Sequence, residues 1–190
     1  MSKILAVNGS PRIDGNTAQM LKTVLDICKE AGHVAEIYQA GGKTVHGCMG
    51  CGACGKNIGV CAIDDWINEL YPKMAEADVI LLGSPTYFAD LTPELKAVID
   101  RTGFISRQDD MRFSRKIGAG ISAVRRAGGI HTIDSINHFF LINDMIIPGS
   151  TYWSMSLSRE AGAYNKDEEG INTIKHLGKN IVWLLSKLQA

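Results

Sequence analysis

The chain has 190 residues, 45% of them hydrophobic and 21% charged, ordinary values for one soluble globular domain with a sizeable core. Lys plus Arg balance Asp plus Glu at 20 each, which excludes an overall field drawing the protein to nucleic acid or to an anionic membrane. No apolar run reaches bilayer length and no signal peptide precedes the first strand, so the expected location is the cytoplasm.

Lys3–Asn8 (KILAVN) predicts a buried strand, followed by a turn-rich loop. Over Thr17–Ala31, the positions Met20, Leu21, Val24, Ile27, Cys28 and Ala31 recur at helical spacing, and Gly32 ends that helix. Cys28 lies on the apolar face and reads as a small core residue. His33–Tyr38 alternates and suits a second strand. A cysteine-rich insertion at about 46–62 comes next, then a helix over Asp64–Ala77 striped by Ile67, Leu70, Met74 and Ala77. Asp78–Ser84 is a continuous apolar strand of the kind buried on both faces. Pro93 opens a helix through Arg101, in a position that proline tolerates. Lys96 and Arg101 on it read as surface charge or ion pairs rather than ligands. Lys116–Ala123 predicts a fourth strand, Ile130–Asn143 a helix, Met145–Gly149 the start of a fifth strand, and Asp167–Leu188 the closing helix. Strands interleaved with helices predict a five-stranded parallel sheet covered on both faces, in a single domain over 1–190.

Ligands of open α/β sheets lie beyond the carboxyl ends of the strands, so three loops matter. The first, Gly9–Thr17, offers Ser10, Asn16 and Thr17 as donors, Arg12 as a guanidinium, and the unpaired amides of a helix start. That set suits a phosphate. It is neither G-x-G-x-x-G nor G-x-x-x-x-G-K-S/T, and the plainer reading is a turn capped by Asn16 or Thr17. The second, Ser84–Thr92, places Pro85, Thr86, Tyr87 and Phe88 after the most hydrophobic strand. Adjacent aromatics there suit a planar ring, with Thr86 and the backbone at its edge, or else they cover the sheet end. The third, Ala123–Gly129, combines Ala123, Gly128 and Gly129 with the paired Arg125 and Arg126. It suits a ring edge, a nicotinamide nucleotide phosphate, or only solvent.

Cys48, Cys51, Cys54 and Cys61 are spaced C-x2-C-x2-C-x6-C among glycines, so their thiolates can wrap one metal centre. The spacing is similar in part to that of bacterial ferredoxins, which hold a 4Fe–4S cluster. The fourth gap is longer, and no proline follows Cys61. A structural zinc and free or redox-paired thiols are the alternatives. The five histidines show no metal spacing, and His46 beside the cysteines is not expected to be a ligand.

Taken together, GSPRIDGNT, CMGCGAC with Cys61 and IDD, GSPTYF, LKAVIDR and the Ala123–Gly129 loop resemble the flavodoxin-like NAD(P)H-dependent FMN reductases. Among them the chain looks most like the iron–sulfur flavoproteins of anaerobic microbes, over nearly its whole length. The resemblance implies a flavodoxin-like doubly wound sheet and non-covalent FMN. The phosphate would lie on Ser10, Arg12, Asn16 and Thr17, and the ring against Pro85–Phe88 and Ala123–Gly129. It also implies a possible 4Fe–4S cluster on Cys48, Cys51, Cys54 and Cys61, and a homodimer or homotetramer. Its activity would be an FMN-dependent oxidoreductase taking electrons from NAD(P)H or ferredoxin to a quinone, nitro or azo compound, metal ion or oxygen species. The alternative is a flavodoxin-like electron carrier with no substrate of its own. Carriers of that sort are usually strongly acidic, and this chain is balanced.

Overall fold

The computed structural model describes residues 1–188. Its sheet contains β1 (Lys3–Asn8), β2 (Val34–Gln39), β3 (Val79–Pro85), β4 (Ile117–Val124) and β5 (Met155–Leu157), in the order β2-β1-β3-β4-β5 with every pairing parallel. Parallel neighbours need crossovers. The helices α1 (Asn16–Glu30), α2 (Ile67–Glu76), α3 (Pro93–Gln108), α4 (Gly129–Ile142) and α5 (Glu168–Leu188) lie between or after the strands. This is the flavodoxin-like doubly wound fold. The chain steps outward from β1 to β2 and then returns to β3, so the strand order reverses at β1 and β3. Ligand crevices open at such a switch point.

Strand periodicity sorts the core into two layers. Ile4, Ala6, Val79 and Leu81 pack with Leu21, Val24 and Cys28 of α1 and Ile174 and Ile181 of α5. Leu5, Val7, Ile80 and Leu82 face the other way, against Leu70 and Met74 of α2, Leu95 and Val98 of α3, and Phe139 and Phe140 of α4. Cys28 is fully buried, as its helical spacing predicts, and burial pushes its thiol up to about 11. No helix among the described residues is long and apolar enough to cross a membrane.

Two local expectations are corrected. The run Met145–Gly149 does not continue as a strand: only Ile146 makes a bridge, to Ile117 of β4, and the chain then leaves the edge and returns as β5 at Met155. The N-cap of α1 is Gly15, with no side-chain hydrogen bond, rather than Asn16 or Thr17. At α3, by contrast, Thr92 accepts from Leu95 N at 3.4 Å and Pro93 occupies the first turn.

Candidate functional site

The loops after β1, β3, β4 and β5 meet at the carboxyl edge of the sheet around a cavity of about 190 Å³. Ser10, Arg12, Asn16 and Thr17 line one side. Pro85, Thr86 and Tyr87 line another, with Ala123 and Arg125 beside them. The Thr17 hydroxyl is buried and has no hydrogen-bond partner. A buried hydroxyl left this way costs about 1–3 kcal/mol, so its place at a helix start beside a cavity calls for an acceptor from outside the protein. Ser10 Oγ accepts from Arg12 N at 3.2 Å, which leaves its own O–H free to donate inward. The first amides of α1 lack intrahelical acceptors and add the positive end of the helix dipole. This set of donors suits an anion.

Asn16 contributes differently from the expectation. Its side-chain amide donates to the carbonyls of Ser158 at 3.2 Å and Glu160 at 2.8 Å, and its Oδ1 accepts from Tyr164 N at 3.3 Å. The side chain is spent on fastening the 158–164 segment to α1, and only its backbone N–H remains for a phosphate. That segment brings Ser158 and Arg159 to the cavity. The sequence reading missed both, because it placed the fifth strand too early; a loop after 155–157 would have pointed to them.

The aromatic loop is a tight turn in which Tyr87 N donates to Asp90 O at 2.8 Å and Asp90 N to Tyr87 O at 3.0 Å. Phe88 and Ala89 at its tip have φ of 49° and 64°, a left-handed pair that costs energy without glycine. The turn leaves Phe88 fully exposed and Tyr87 about half exposed. Phe88, Gly128 and Gly129 are not among the residues lining the 190 Å³ cavity. Gly128 instead packs on the aromatic loop: with φ of 87°, a Cβ there would sit 3.1 Å from Ala89 Cα. The Thr86 hydroxyl is shared with Ser122 Oγ at 2.8 Å and Thr132 Oγ1 at 3.0 Å, and Thr86 N donates to Ala123 O. Thr86 therefore joins the two loops instead of offering its hydroxyl freely to a ring edge.

The four loop cysteines line a second cavity, of about 290 Å³, floored by Arg101, Phe104, Ile105 and Gln108 of α3. Cys48 and Cys51 are exposed, and Cys54 and Cys61 are half-buried. Among the described residues no three His, Cys, Asp or Glu side chains stand together as a ready metal site. The loop is loosely surrounded: a Cβ at Gly47, Gly50 or Gly52 would meet nothing within 4 Å. Four thiols lining one cavity are by type a suitable donor set for iron. Arg101 is the ion pair of the two expected alternatives, but a buried one rather than surface charge. Its side chain is fully buried and holds Asp65 through two bonds, at 2.6 and 2.8 Å. It also donates to Ile63 O, His46 O and, at 3.3 Å, Cys61 Sγ. Burial opposes the charge, yet the bonds from Asp65 and Cys61 outweigh it, and the Arg101 pKa stands above its ordinary value. Lys96 is the exposed ion pair expected of it, with Asp100.

Residues 2–160 match the model of the NADPH-dependent FMN reductases. The chain belongs to this family. Iron-sulfur flavoproteins are similar over nearly the full length: one of Methanocaldococcus jannaschii is 34% identical over 94% of this chain and 95% of its own. Another, from Methanosarcina thermophila, is 30% identical over 98% of this chain and 97% of its own. Among solved structures, a flavoenzyme NAD(P)H:(acceptor) oxidoreductase from Paracoccus denitrificans shares the fold with a TM-score of 0.69, at 14% identity and 98% coverage of each chain. As an FMN reductase family member the protein is a flavin-dependent oxidoreductase, and FMN is its cofactor. The cradle fits FMN: the unpartnered Thr17 hydroxyl, Ser10, the α1 amides and the guanidinium of Arg12 suit its one phosphate.

Proposed function

We propose that the protein takes electrons from NAD(P)H or a ferredoxin and delivers them through FMN to a small acceptor: a quinone, a nitro or azo compound, a metal ion or an oxygen species. The observation that carries this is the anion cradle beside an open, aromatic-edged loop, centred on the buried Thr17 hydroxyl without a partner. Bound FMN supplies the exchange between two-electron donors and one-electron partners. The chain's own part is to hold the phosphate at Ser10, Arg12 and Thr17, and to frame the ring with Pro85–Phe88 and Ala123–Gly129. Balanced charge supports an enzyme over a flavodoxin-like carrier, which docks by strong acidity.

The same reading assigns Cys48, Cys51, Cys54 and Cys61 to a 4Fe–4S cluster, supported by their shared cavity and the iron-sulfur flavoproteins named above. Five free cysteines suit the reducing cytoplasm. A homodimer or homotetramer is supported by the fully exposed Phe88 and the largely exposed Phe104, Leu141 and Ile142. The test is anaerobic oxidation of NADH and NADPH by purified, FMN-loaded protein with each acceptor class in turn. Turnover with either nicotinamide carries the reductase reading. Flavin reduction by a reduced ferredoxin with reduction of an acceptor class carries the ferredoxin-fed form of it; no oxidation of either nicotinamide and no acceptor reduced after ferredoxin reduces the flavin would replace it with the carrier.

A further inference from the structure

Cys61 differs from the other three cysteines of the loop in how firmly it is held. Asn68 on α2 clasps its backbone from both sides: Cys61 N donates to Asn68 Oδ1 at 2.9 Å, and Asn68 Nδ2 donates to Cys61 O at 3.1 Å. Its sulfur accepts from Arg101 Nε at 3.3 Å. The Cys48 sulfur accepts only a nearby loop amide, Gly50 N at 3.4 Å. Gly50 and Gly52, on either side of Cys51, have φ of 63° and 68° and open space around them. Cys61 is fixed at the cavity floor, Cys54 sits on the short 3-10 turn Ala53–Gly55 packed against the core, and Cys48 and Cys51 lie on the exposed glycine-rich stretch before it.

We propose that Arg101 is the positioning residue of this loop: it keeps Cys61 in place, and its Nε–H sets the reduction potential of the iron–sulfur group that Cys61 would hold together with Cys48, Cys51 and Cys54. This rests on the reading that these four cysteines hold such a group. The guanidinium is suited to the task because it cannot lose its proton and because Asp65 locks its plane through two parallel bonds. With both terminal nitrogens engaged by Asp65, Ile63 O and His46 O, Nε is left to point at sulfur. Hydrogen bonds to cluster sulfurs are one of the levers on cluster potential. A donated N–H and a nearby positive charge stabilise the reduced, more negative form more than the oxidised one, and so raise the potential. Outer partners of metal ligands commonly act in this way.

The experiment uses FMN-loaded protein reconstituted anaerobically with iron and sulfide, as wild type, Arg101→Lys and Arg101→Gln. Iron and FMN per chain are measured, and both midpoint potentials are followed by spectroelectrochemical titration. Lysine keeps a charge but cannot reproduce the locked Nε–H, and glutamine removes the charge as well. The expected result is a cluster potential that moves negative in R101K and further in R101Q, with the FMN potential unchanged. A cluster potential equal to that of wild type in a variant holding both groups would overturn the proposal. Should neither variant hold both groups, the wild type decides. Protein made with 15N-arginine should show an arginine nitrogen coupled to the reduced cluster in pulsed EPR, and its absence overturns the proposal equally. Wild type that takes up no iron overturns the cluster reading itself, and this inference with it.

Discussion

Thr17→Val is the most direct probe of the phosphate cradle, because it removes a hydroxyl that pairs with nothing else in the protein. Valine keeps the branched shape of threonine and a similar helix propensity, so packing around this buried position is preserved. No protein group pairs with this hydroxyl, so replacing it with a methyl group leaves no protein donor or acceptor unsatisfied. For a chain of this size, each kcal/mol of lost stability would lower Tm by roughly 2–4 °C. In the complex the hydroxyl would donate to a phosphate oxygen, a bond to a charged group worth about 1.5–3 kcal/mol. FMN affinity should therefore fall by a factor of roughly 10 to 150, at about 1.4 kcal/mol per tenfold. The assays are thermal unfolding of the flavin-free protein and quenching of flavin fluorescence on titration. Riboflavin is the control, since it lacks the phosphate and its affinity should not change. An unchanged FMN Kd would refute the assignment of this hydroxyl to the phosphate. A lower Tm for flavin-free Thr17→Val would show instead that the hydroxyl was already satisfied.

Three further outcomes follow from the same geometry. Anaerobic reconstitution should load about four iron and four sulfide per chain; serine at Cys48, Cys51, Cys54 or Cys61 should abolish this and leave FMN in place, whereas Cys28→Ser should spare both, and less than about one iron per wild-type chain would sink the cluster. Tyr87→Ala with Phe88→Ala should open the flavin edge to solvent, seen as a shifted flavin spectrum and faster reaction of the reduced protein with oxygen; an unchanged spectrum and FMN affinity would make these residues surface cover only. Burial raises the Cys28 thiol from 9.0 to about 11, so between these pH values the folded state keeps a proton that the unfolded state has lost, and stability falls as pH rises. The stability difference between wild type and Cys28→Ala should accordingly shrink by about 2 kcal/mol from pH 9 to 11 in denaturant titrations, and a constant difference would refute the cause.

The sheet was legible because its central strands are continuous apolar runs and the helices between them carry clear stripes. Residues whose role depends on distant partners were not. Arg101 reads locally as surface charge or an ion pair near a helix end, and the carboxylate that makes it a buried clamp, Asp65, is 36 positions away. Asn16 reads as a phosphate ligand by type and place, yet its amide is spent on carbonyls 142 and 144 positions along the chain. The fifth strand failed for a related reason. Met145–Gly149 has the composition of a strand, but only Ile146 finds a partner on β4, and pairing resumes where the sequence looks least regular, at MSL. For the cradle the right loops could be found from strand ends alone. Which atoms remain free within them depended on the tertiary hydrogen bonds.

Those hydrogen bonds also explain how two sites share one small sheet without sharing side chains. Gln39, the last residue of β2, accepts from Asn8 Nδ2 at 2.7 Å and donates to both Ser10 O and Gly41 O at 2.7 Å. Asn8 Oδ1 in turn accepts from Ser10 N at 3.1 Å. The phosphate loop and the root of the cysteine loop are thus tied at the paired ends of β1 and β2. The approach is so close that a Cβ at Gly41 would lie 2.2 Å from the Ser10 carbonyl carbon. Beyond this knot the supports diverge. The cradle is braced by α1 and the 158–164 segment, whereas the cysteine loop is braced by Arg101, Asp65 and Asn68 on the far side of the sheet. A lesion in one set of braces leaves the other intact. That separation is why loss of a loop cysteine should cost the metal and not the flavin, and why only damage at the shared β1–β2 knot would reach both.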